Sequence, residues 1–314
     1  MWQPHPASGV ELWPPHKTYQ RNCLPFPKDS DRATMNLKAV ARYLYANVPG
    51  VAAIRFAIKD SVAPYFFKPE FRGVGLLGIG SALIVDVGAN RGQSTAAFKR
   101  LAPNSRIIAF EPEPRSAKRL ALRHCRDDAV TILDCALGCR SEVIDFFLPR
   151  YGRWECDGMA ATSYEEATAW LKNPGRMYRF DAKKLTVREH RVTCKALDSL
   201  DLAPVLIKLH AQGAELDILK GAHGTLQQLR PALMCAFASP AVTEFLSDLG
   251  YRPYVYDRGC FRSGTAPLSV TFTWYLTEAH VKGSHRVRRR MFAFWKTMRR
   301  GWHPIWTVIL QRLH

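Results

Sequence analysis

Two apolar runs of this 314-residue chain end in residues that can bind a polar ligand. The run 83–87 contains Asp86 and leads directly into Gly88, Asn90 and Gly92. Glycines lack a Cβ and let the backbone approach a ligand closely, and acidic side chains accept hydrogen bonds from hydroxyl groups. The pattern therefore predicts a buried strand followed by a binding turn, with these four residues as ligand contacts.

The second run, 107–110, ends in Glu111, nineteen residues after Gly92. In a βαβ unit, an acid at this place can accept hydrogen bonds from both hydroxyl groups of a ribose. The spacing of Asp86, Gly88 and Gly92 differs from the Gly-x-Gly-x-x-Gly fingerprint of dinucleotide sites, because it lacks their tight pyrophosphate turn. It suits a nucleoside with a sulfonium and a carboxylate in place of phosphates, so S-adenosyl-L-methionine is the expected cofactor. A nicotinamide cofactor is the less favoured alternative.

Two later segments supply the remaining candidate site residues. Asp134 and Cys135 follow a third predicted strand, where they would meet the adenine ring. His210 follows a fourth predicted strand, and Glu215 stands in the first turn of the next helix. Lys208 points to the opposite face of its strand from its neighbours, and we expect it to be structural.

His210 and Glu215 are the candidate catalytic residues, and two roles are open for each. An imidazole with an unperturbed pKa of about 6.5 suits general-base catalysis. His210 is therefore a candidate base, or alternatively a buried histidine in an eroded site. Glu215 either reaches the substrate crevice or caps the first turn of its own helix.

Strands alternate with helices from residue 83 onward, which predicts an α/β fold with a doubly wound, mostly parallel sheet of seven strands. Right-handed crossovers would bring the carboxyl ends of the first two strands to one crevice. The predicted strands are 83–87, 107–110, 130–134, 143–148, 205–209, 233–237 and 271–276. The predicted helices include 94–101, 114–124, 214–220 and 241–249.

Composition divides the chain into three predicted parts. Residues 1–75 form a Pro-rich N-terminus and a helical cap, 76–278 form the main domain, and 279–314 form a basic C-terminal tail. Within the main domain, 149–190 is dense in aromatic and charged residues. We interpret that segment as a lid or an acceptor-recognition insertion, with surface elaboration as the alternative.

Several ordered motifs together resemble the FkbM-type family of S-adenosylmethionine-dependent methyltransferases. The resemblance implies a class I methyltransferase (Rossmann-like) fold, S-adenosyl-L-methionine as cofactor, and O-methylation of a hydroxyl on a sugar, glycolipid or other secondary-metabolite acceptor. The motifs are Val85-Asp-Val-Gly-Ala-Asn-x-Gly92, Ala109-Phe-Glu-Pro112, Cys135-Ala-Leu-Gly138, Gly158-Met-Ala-Ala-Thr-Ser163, Leu197-Asp-Ser-Leu200 and Ile207-Lys-x-x-x-Gln-Gly-Ala-Glu-x-x-x-Leu-Lys-Gly-Ala222.

The chain departs from the family pattern at two carboxylates. His210 stands where the family has an Asp that would orient or deprotonate the acceptor, and Ala236 lies where the next strand usually closes with Glu. An imidazole can replace a carboxylate as a general base but not as a hard-oxygen ligand for Mg²⁺. We therefore expect a metal-independent reaction. The alternative is a catalytically eroded cofactor-binding or scaffold protein at a membrane-associated glycan assembly.

The net charge of +18 is unevenly distributed, because nine Lys or Arg residues and no acid follow Glu278. Apolar residues from Val287 to Met298 form one helical stripe with basic residues opposite, and a second short stripe, 305–313, follows Pro304. The segment 285–313 thus predicts an anchor on an anionic membrane surface. A C-terminal helix docked on the core is an equal alternative, and nucleic-acid binding is less favoured because no known module occurs.

Composition also bounds the cellular context. The eight cysteines show no metal-type spacing, and residues 1–19 lack the apolar core of a signal peptide. No apolar run reaches the roughly 18–20 residues that span a bilayer. We expect a cytoplasmic protein without a metal site, peripheral on the inner face of the membrane if the tail binds there.

Overall fold

The structure is a computed structural model, and for a few residues it describes the backbone alone, namely 157 and 290–301. The structure describes residues 37–173, 176–267 and 269–301. The Pro-rich part of the predicted segment 1–75, residues 1–35, and the second apolar stripe, 305–313, lie outside the described residues.

An eight-stranded sheet lies at the centre of the described chain, in the order β3-β2-β1-β8-β9-β12-β10-β11. The first five strands in this order are parallel neighbours, and β12 runs antiparallel to both β9 and β10. The chain moves from β1 to β2 and β3 on one side, then crosses to β8 on the other. The strands are β1 Leu83–Val87, β2 Arg106–Phe110, β3 Val130–Leu133, β8 Pro204–Leu209, β9 Ala232–Ala236, β10 Arg252–Asp257, β11 Cys260–Ser263 and β12 Phe272–Leu276.

A second, four-stranded sheet has the order β4-β7-β5-β6 and was not predicted. Antiparallel pairing of β5 with β7 runs from Glu142 opposite Cys194 to Tyr151 opposite Leu185. The prediction of seven strands in one sheet is therefore wrong in two respects: the segment 143–148 belongs to this second sheet, and β10 and β11 extend the central one. The strands of the second sheet are β4 Ala136–Leu137, β5 Glu142–Tyr151, β6 Trp154–Glu155 and β7 Leu185–Lys195.

Three α-helices precede the first strand in the described chain, and the later helices alternate with the strands or follow them. The described residues form α1 Leu37–Asn47, α2 Val51–Val62, α3 Val74–Leu77, α4 Gln93–Leu101, α5 Pro114–Arg123, α6 Tyr164–Lys172, α7 Glu215–Lys220, α8 His223–Gln228, α9 Pro240–Asp248 and α10 Glu278–Gly301. All five residues of β1 are buried, because helices cover both faces of the central sheet. Val85 and Ile207 face one core cluster, whereas Ile84 and Leu206 face the other.

The described part of the basic tail belongs to α10. Val281 packs against the core and Ser284 is buried, whereas Arg286, Arg288 and Arg289 are exposed. The start of this helix is thus docked on the protein, while these three arginines face solvent. No helix among the described residues is long and apolar enough to cross a membrane.

Candidate active site

A cavity of about 540 Å³ lies at the carboxyl ends of the parallel strands. It opens where β1 and β8 are neighbours but their onward connections run to opposite sides, the switch point at which doubly wound sheets bind ligands. Of the nine predicted site residues, five line it: Gly88, Asn90, Glu111, Cys135 and His210. The four that are not among its lining residues are Asp86, Gly92, Asp134 and Glu215.

Asp86 and Lys208 form a buried ion pair beneath this cavity. Their charged atoms, Oδ1 and Nζ, are 3.0 Å apart, and both side chains are almost fully buried. The Asp86 carboxylate also accepts hydrogen bonds from the Ser94 and Thr95 hydroxyls, while Lys208 donates to the carbonyls of Val87 and Gly88. The pair therefore fixes the path of the glycine turn from below.

Gly88 and Gly92 are required by packing within the protein. Both have positive φ, 69° and 81°, a conformation that favours glycine. A Cβ on Gly88 would lie 2.1 Å from the carbonyl oxygen of His210, and one on Gly92 would lie 2.4 Å from Leu120 Cδ2. The lack of a Cβ at these two positions is thus required by the protein itself, because Gly88 lies against the end of β8 and Gly92 lies against α5.

Glu111 is the buried carboxylate of the cavity. Its two oxygens accept backbone N–H groups from Asn90, at 2.5 Å, and from Glu113, at 2.9 Å. Burial raises the pKa of Glu111 to about 7, the charge of Glu113 adds to this effect, and the two amide hydrogen bonds oppose it. Each oxygen keeps a further lone pair, so the side chain can accept the two hydroxyl groups of a ribose.

The third strand contributes one of its two predicted contacts. Cys135 is buried and lines the cavity, and burial raises the pKa of its thiol, which therefore stays protonated near neutral pH. Asp134 is exposed and is not among the lining residues. The geometry thus puts a small, weakly polar surface, not a carboxylate, at this end of the site.

His210 follows β8 and is held among aromatic rings. Its backbone N–H donates to the Val87 carbonyl at 3.2 Å, and its ring centroid lies 6.0 Å from that of Phe237 and 5.9 Å from that of Phe272. Burial lowers the pKa of the imidazole to about 3, and the positive charges of Lys208 and Lys68 lower it further. The ring is therefore neutral at physiological pH and can accept a hydrogen bond.

Glu215 holds the loop between β8 and α7. Its carboxylate accepts the backbone N–H groups of Ala211, at 2.7 Å, and Gly213, at 3.0 Å. In that loop Gln212 has a φ of 54° and donates through Nε2 to the carbonyl of Gly158 at 2.9 Å. Glu215 thus shapes the loop that carries His210 and contacts no cavity surface itself.

Several residues of the cavity wall were not predicted. From the second sheet and the segment after it come Phe146 and residues 158–160, and from α2 and the segment after it come Arg55, Phe56, Lys59 and 66–68. Residues 158–160 belong to the motif 158–163 of the family resemblance, whereas Phe146 lies outside that motif. The helical pattern of α2 gave no sign that this helix faces a site. Among the described residues, no group of three or more His, Cys, Asp or Glu side chains could hold a metal ion.

Comparison with known proteins gives a consistent set of similarities. The family model described as Methyltransferase FkbM domain matches residues 86–253. The chain is 29% identical over 171 residues to 2-O-methyltransferase NoeI from Sinorhizobium fredii, and the match covers 50% of this chain and 64% of NoeI. The chain therefore spans less than two thirds of that relative's length.

The chain also shows similarity to solved structures. The methyltransferase FkbM from Methylobacillus flagellatus KT superposes with a TM-score of 0.43 at 16% identity, covering 75% of this chain and 57% of that one. The fibrillarin from Aeropyrum pernix, solved with bound S-adenosyl-L-methionine, gives a TM-score of 0.34 at 10% identity, covering 70% and 73%.

Proposed function

This chain belongs to the FkbM family of S-adenosylmethionine-dependent methyltransferases, and from this premise we propose that it methylates a hydroxyl group on a sugar or glycolipid acceptor. The observation that carries the proposal is the single cavity that Glu111 and His210 both line. Methyl transfer depends on holding donor and acceptor in line, so both must enter one site. The similarity to a relative named as a 2-O-methyltransferase supports oxygen as the methylated atom.

The cofactor side of the cavity fits S-adenosyl-L-methionine. Glu111 is nine-tenths or more buried yet lines the cavity, and its carboxylate has lone pairs left for the ribose hydroxyls. Gly88 and Asn90 border the same space, and Cys135 would contact the adenine. When bound, this cofactor supplies an activated methyl group on a sulfonium. Asp86 and Gly92 then support the turn through protein contacts, without contact to the ligand.

On the acceptor side we assign His210 an orienting role. A neutral imidazole can accept a hydrogen bond from the acceptor hydroxyl and fix its direction. With a pKa of about 3 the ring is a weak base, so it directs an oxygen lone pair without removing the proton early. Glu215 maintains this arrangement through the backbone amides of the loop.

Binding of the cofactor and of its demethylated product, S-adenosylhomocysteine, tests the cofactor assignment by calorimetry on the full chain. In Glu111→Gln we expect affinity to fall by roughly 10- to 100-fold, since hydrogen bonds to a charged group contribute about 1.5–3 kcal/mol each. The matched control is Glu244→Gln, which removes the same charge from an exposed position on α9 and should bind normally. Equal binding by both variants would contradict the assignment.

A catalytically eroded scaffold is the second candidate, and the low basicity of His210 is the observation that favours it. The two candidates differ in turnover. Release of S-adenosylhomocysteine in the presence of a panel of sugars and glycolipids, lost in His210→Ala while cofactor binding is retained, would support the methyltransferase. Cofactor binding with no methylation across the panel would favour the scaffold.

A further inference from the structure

Three cations line the wall of the active-site cavity without a carboxylate in ion-pair contact among the described residues. Arg55 and Lys59 belong to α2, Lys68 follows it, and all three line the cavity. Within the described part of the chain, none of them forms an ion pair with a carboxylate. The Lys68 ammonium donates to the Thr271 hydroxyl, and the Arg55 guanidinium lies 5.2 Å from the centre of the Phe56 ring.

The other two cations of the cavity are neutralised. Arg91 pairs with Asp60 at 2.7 Å, and Lys208 pairs with Asp86 at 3.0 Å. The remaining carboxylate that lines the cavity is Glu111. Its burial raises its pKa to about 7 and so limits its own negative charge. The cavity wall therefore carries an excess of positive charge.

This excess is unfavourable for the protein on its own. Partial burial lowers the pKa of Lys59, and the nearby charge of Arg55 lowers it further, although Asp60 opposes the effect. Burial likewise lowers the pKa of Lys68, and the charge of Glu70 opposes the effect. All three side chains are exposed, so solvent screens part of the repulsion between their like charges. An anion bound among them would remove the repulsion that remains.

We propose that the acceptor carries an anionic group, a phosphate, sulfate or carboxylate, which binds to Arg55, Lys59 and Lys68. The proposal rests on the function proposed above and narrows its substrate class. Lys68 donates to the Thr271 hydroxyl, and the ring of the next residue, Phe272, lies 5.9 Å from the His210 ring. An anionic group on Lys68 would therefore lie on the same side of the cavity as the acceptor hydroxyl. Phe66 and Phe67 line the same wall and provide an apolar surface beside it.

The carboxylate of the cofactor is a second possible source of the anion. It differs from an acceptor group in one testable respect, because S-adenosylhomocysteine carries the same carboxylate. If Arg55, Lys59 and Lys68 bind the cofactor carboxylate, they must also contribute to the binding of S-adenosylhomocysteine. If they bind the acceptor instead, removing their charges leaves the binding of S-adenosylhomocysteine unchanged.

The experiment uses calorimetry on the full-length protein saturated with S-adenosylhomocysteine, at fixed ionic strength, with glucose 6-phosphate and glucose as the paired probes. We expect the wild type to bind the phosphorylated sugar at least tenfold more tightly than glucose. In Arg55→Gln/Lys59→Gln this preference should be lost, while affinity for S-adenosylhomocysteine stays within twofold. The control pair, Lys220→Gln/Arg258→Gln, removes two cations that do not line the cavity and should behave as wild type.

Two results would overturn the proposal. One is an equal affinity of the wild type for the two sugars, and the other is a loss of S-adenosylhomocysteine binding in the double variant, which would assign the cations to the cofactor. Thermal unfolding checks that the double variant is folded, and the single variant Lys59→Gln repeats the test if it is not. If the wild type binds no S-adenosylhomocysteine, the proposed function fails, and the sugar comparison on the protein alone still decides whether the cations bind an anion.

Discussion

At the scale of single residues, Glu111 combines two demands that oppose each other. Glu111 is buried and accepts the backbone N–H of Asn90, which holds the glycine turn after β1. The proposed function also requires it to be ionised, so that it can accept hydrogen bonds from both ribose hydroxyls. Burial raises its pKa to about 7, so the ligand-free protein holds a mixture of both protonation states near neutral pH. A ligand that donates hydrogen bonds favours the ionised form and lowers the pKa on binding.

The first prediction concerns the pH dependence of this binding. Because protonated Glu111 can accept fewer hydrogen bonds, affinity for S-adenosyl-L-methionine should rise as pH increases through about 7. With that pKa, about nine molecules in ten are protonated at pH 6, so the dissociation constant should be roughly tenfold higher at pH 6 than at pH 8. Calorimetry at pH 6, 7 and 8 measures this change. Glu111→Gln, which has no proton to lose, should show a nearly flat profile, and a steep profile in that variant would assign the effect to another group.

His210 has the opposite character. Burial and the charges of Lys208 and Lys68 lower the pKa of its imidazole to about 3. The ring therefore stays neutral over the pH range in which Glu111 changes its charge. The two groups therefore divide the work of the site. Under the proposed function, we expect Glu111 to set the pH range in which the cofactor binds, and His210 to present a constant hydrogen-bond acceptor to the acceptor hydroxyl.

At the scale of elements, β1, β2 and β8 could be predicted well because both of their faces are covered. Their mostly apolar runs end in polar turns. This pattern predicts both the strand and the residue that follows its carboxyl end. Within β10, Pro253 interrupts the strand pattern, and the strand is only partly buried. The pattern of β5 identified a strand but not its partner, because β7 lies more than thirty residues away.

The candidate site follows the same division. Gly88, Glu111 and His210 could be found because each directly follows a strand of the parallel sheet. Arg55 and Lys59 could not be found, since the sequence of α2 indicates a helix and says nothing of the surface against which it lies. Which helix closes the cavity is a tertiary property, set by contacts distant in sequence.

A second prediction tests the close contact between the end of α7 and the loop after β4. A Cβ on Gly221 would lie 1.9 Å from the carbonyl oxygen of Gly138, and backbone must move to accommodate it. We expect Gly221→Ala to lower the free energy of unfolding by about 1–3 kcal/mol or more, the usual cost of overpacking. The matched control is Gly75→Ala within α3, where no atom lies within 4 Å of the new Cβ. It should leave stability unchanged or raise it by up to about 1 kcal/mol. Urea unfolding of both variants makes the comparison, and equal stabilities would show that the contact is not tight in solution.

At the scale of the whole molecule, two groups of exposed cations among the described residues bear on ligand and surface binding. One is the cavity wall formed by Arg55, Lys59 and Lys68, and the other is α10. The start of α10 is docked through Val281 and Ser284, and its exposed cations point away from that contact. Docking and membrane binding, the two alternatives for the tail, are therefore compatible on different faces of one helix. An anionic acceptor and an anionic surface would both be attracted by this distribution.

The last prediction tests whether the exposed arginines of α10 bind an anionic membrane surface. In a flotation assay, the full chain should bind vesicles of phosphatidylcholine with phosphatidylserine, and the binding should weaken as salt increases. The triple variant Arg286→Gln/Arg288→Gln/Arg289→Gln removes three exposed cations of α10. At roughly 1 kcal/mol for each cation near an anionic surface, it should bind on the order of a hundredfold more weakly.

The control for this assay removes the same charge elsewhere. Lys220→Gln/Arg258→Gln/Arg262→Gln also loses three exposed cations, none of them on α10, and should bind like the wild type if position matters. Equal losses in the two triple variants would mean that vesicles respond only to net charge. Binding of wild type to phosphatidylcholine alone, unaffected by salt, would contradict an electrostatic anchor. The exposed arginines of α10 would then be solvated side chains of a docked helix. Of the two groups of cations, those on the cavity wall would then be the ones left to bind an anionic ligand.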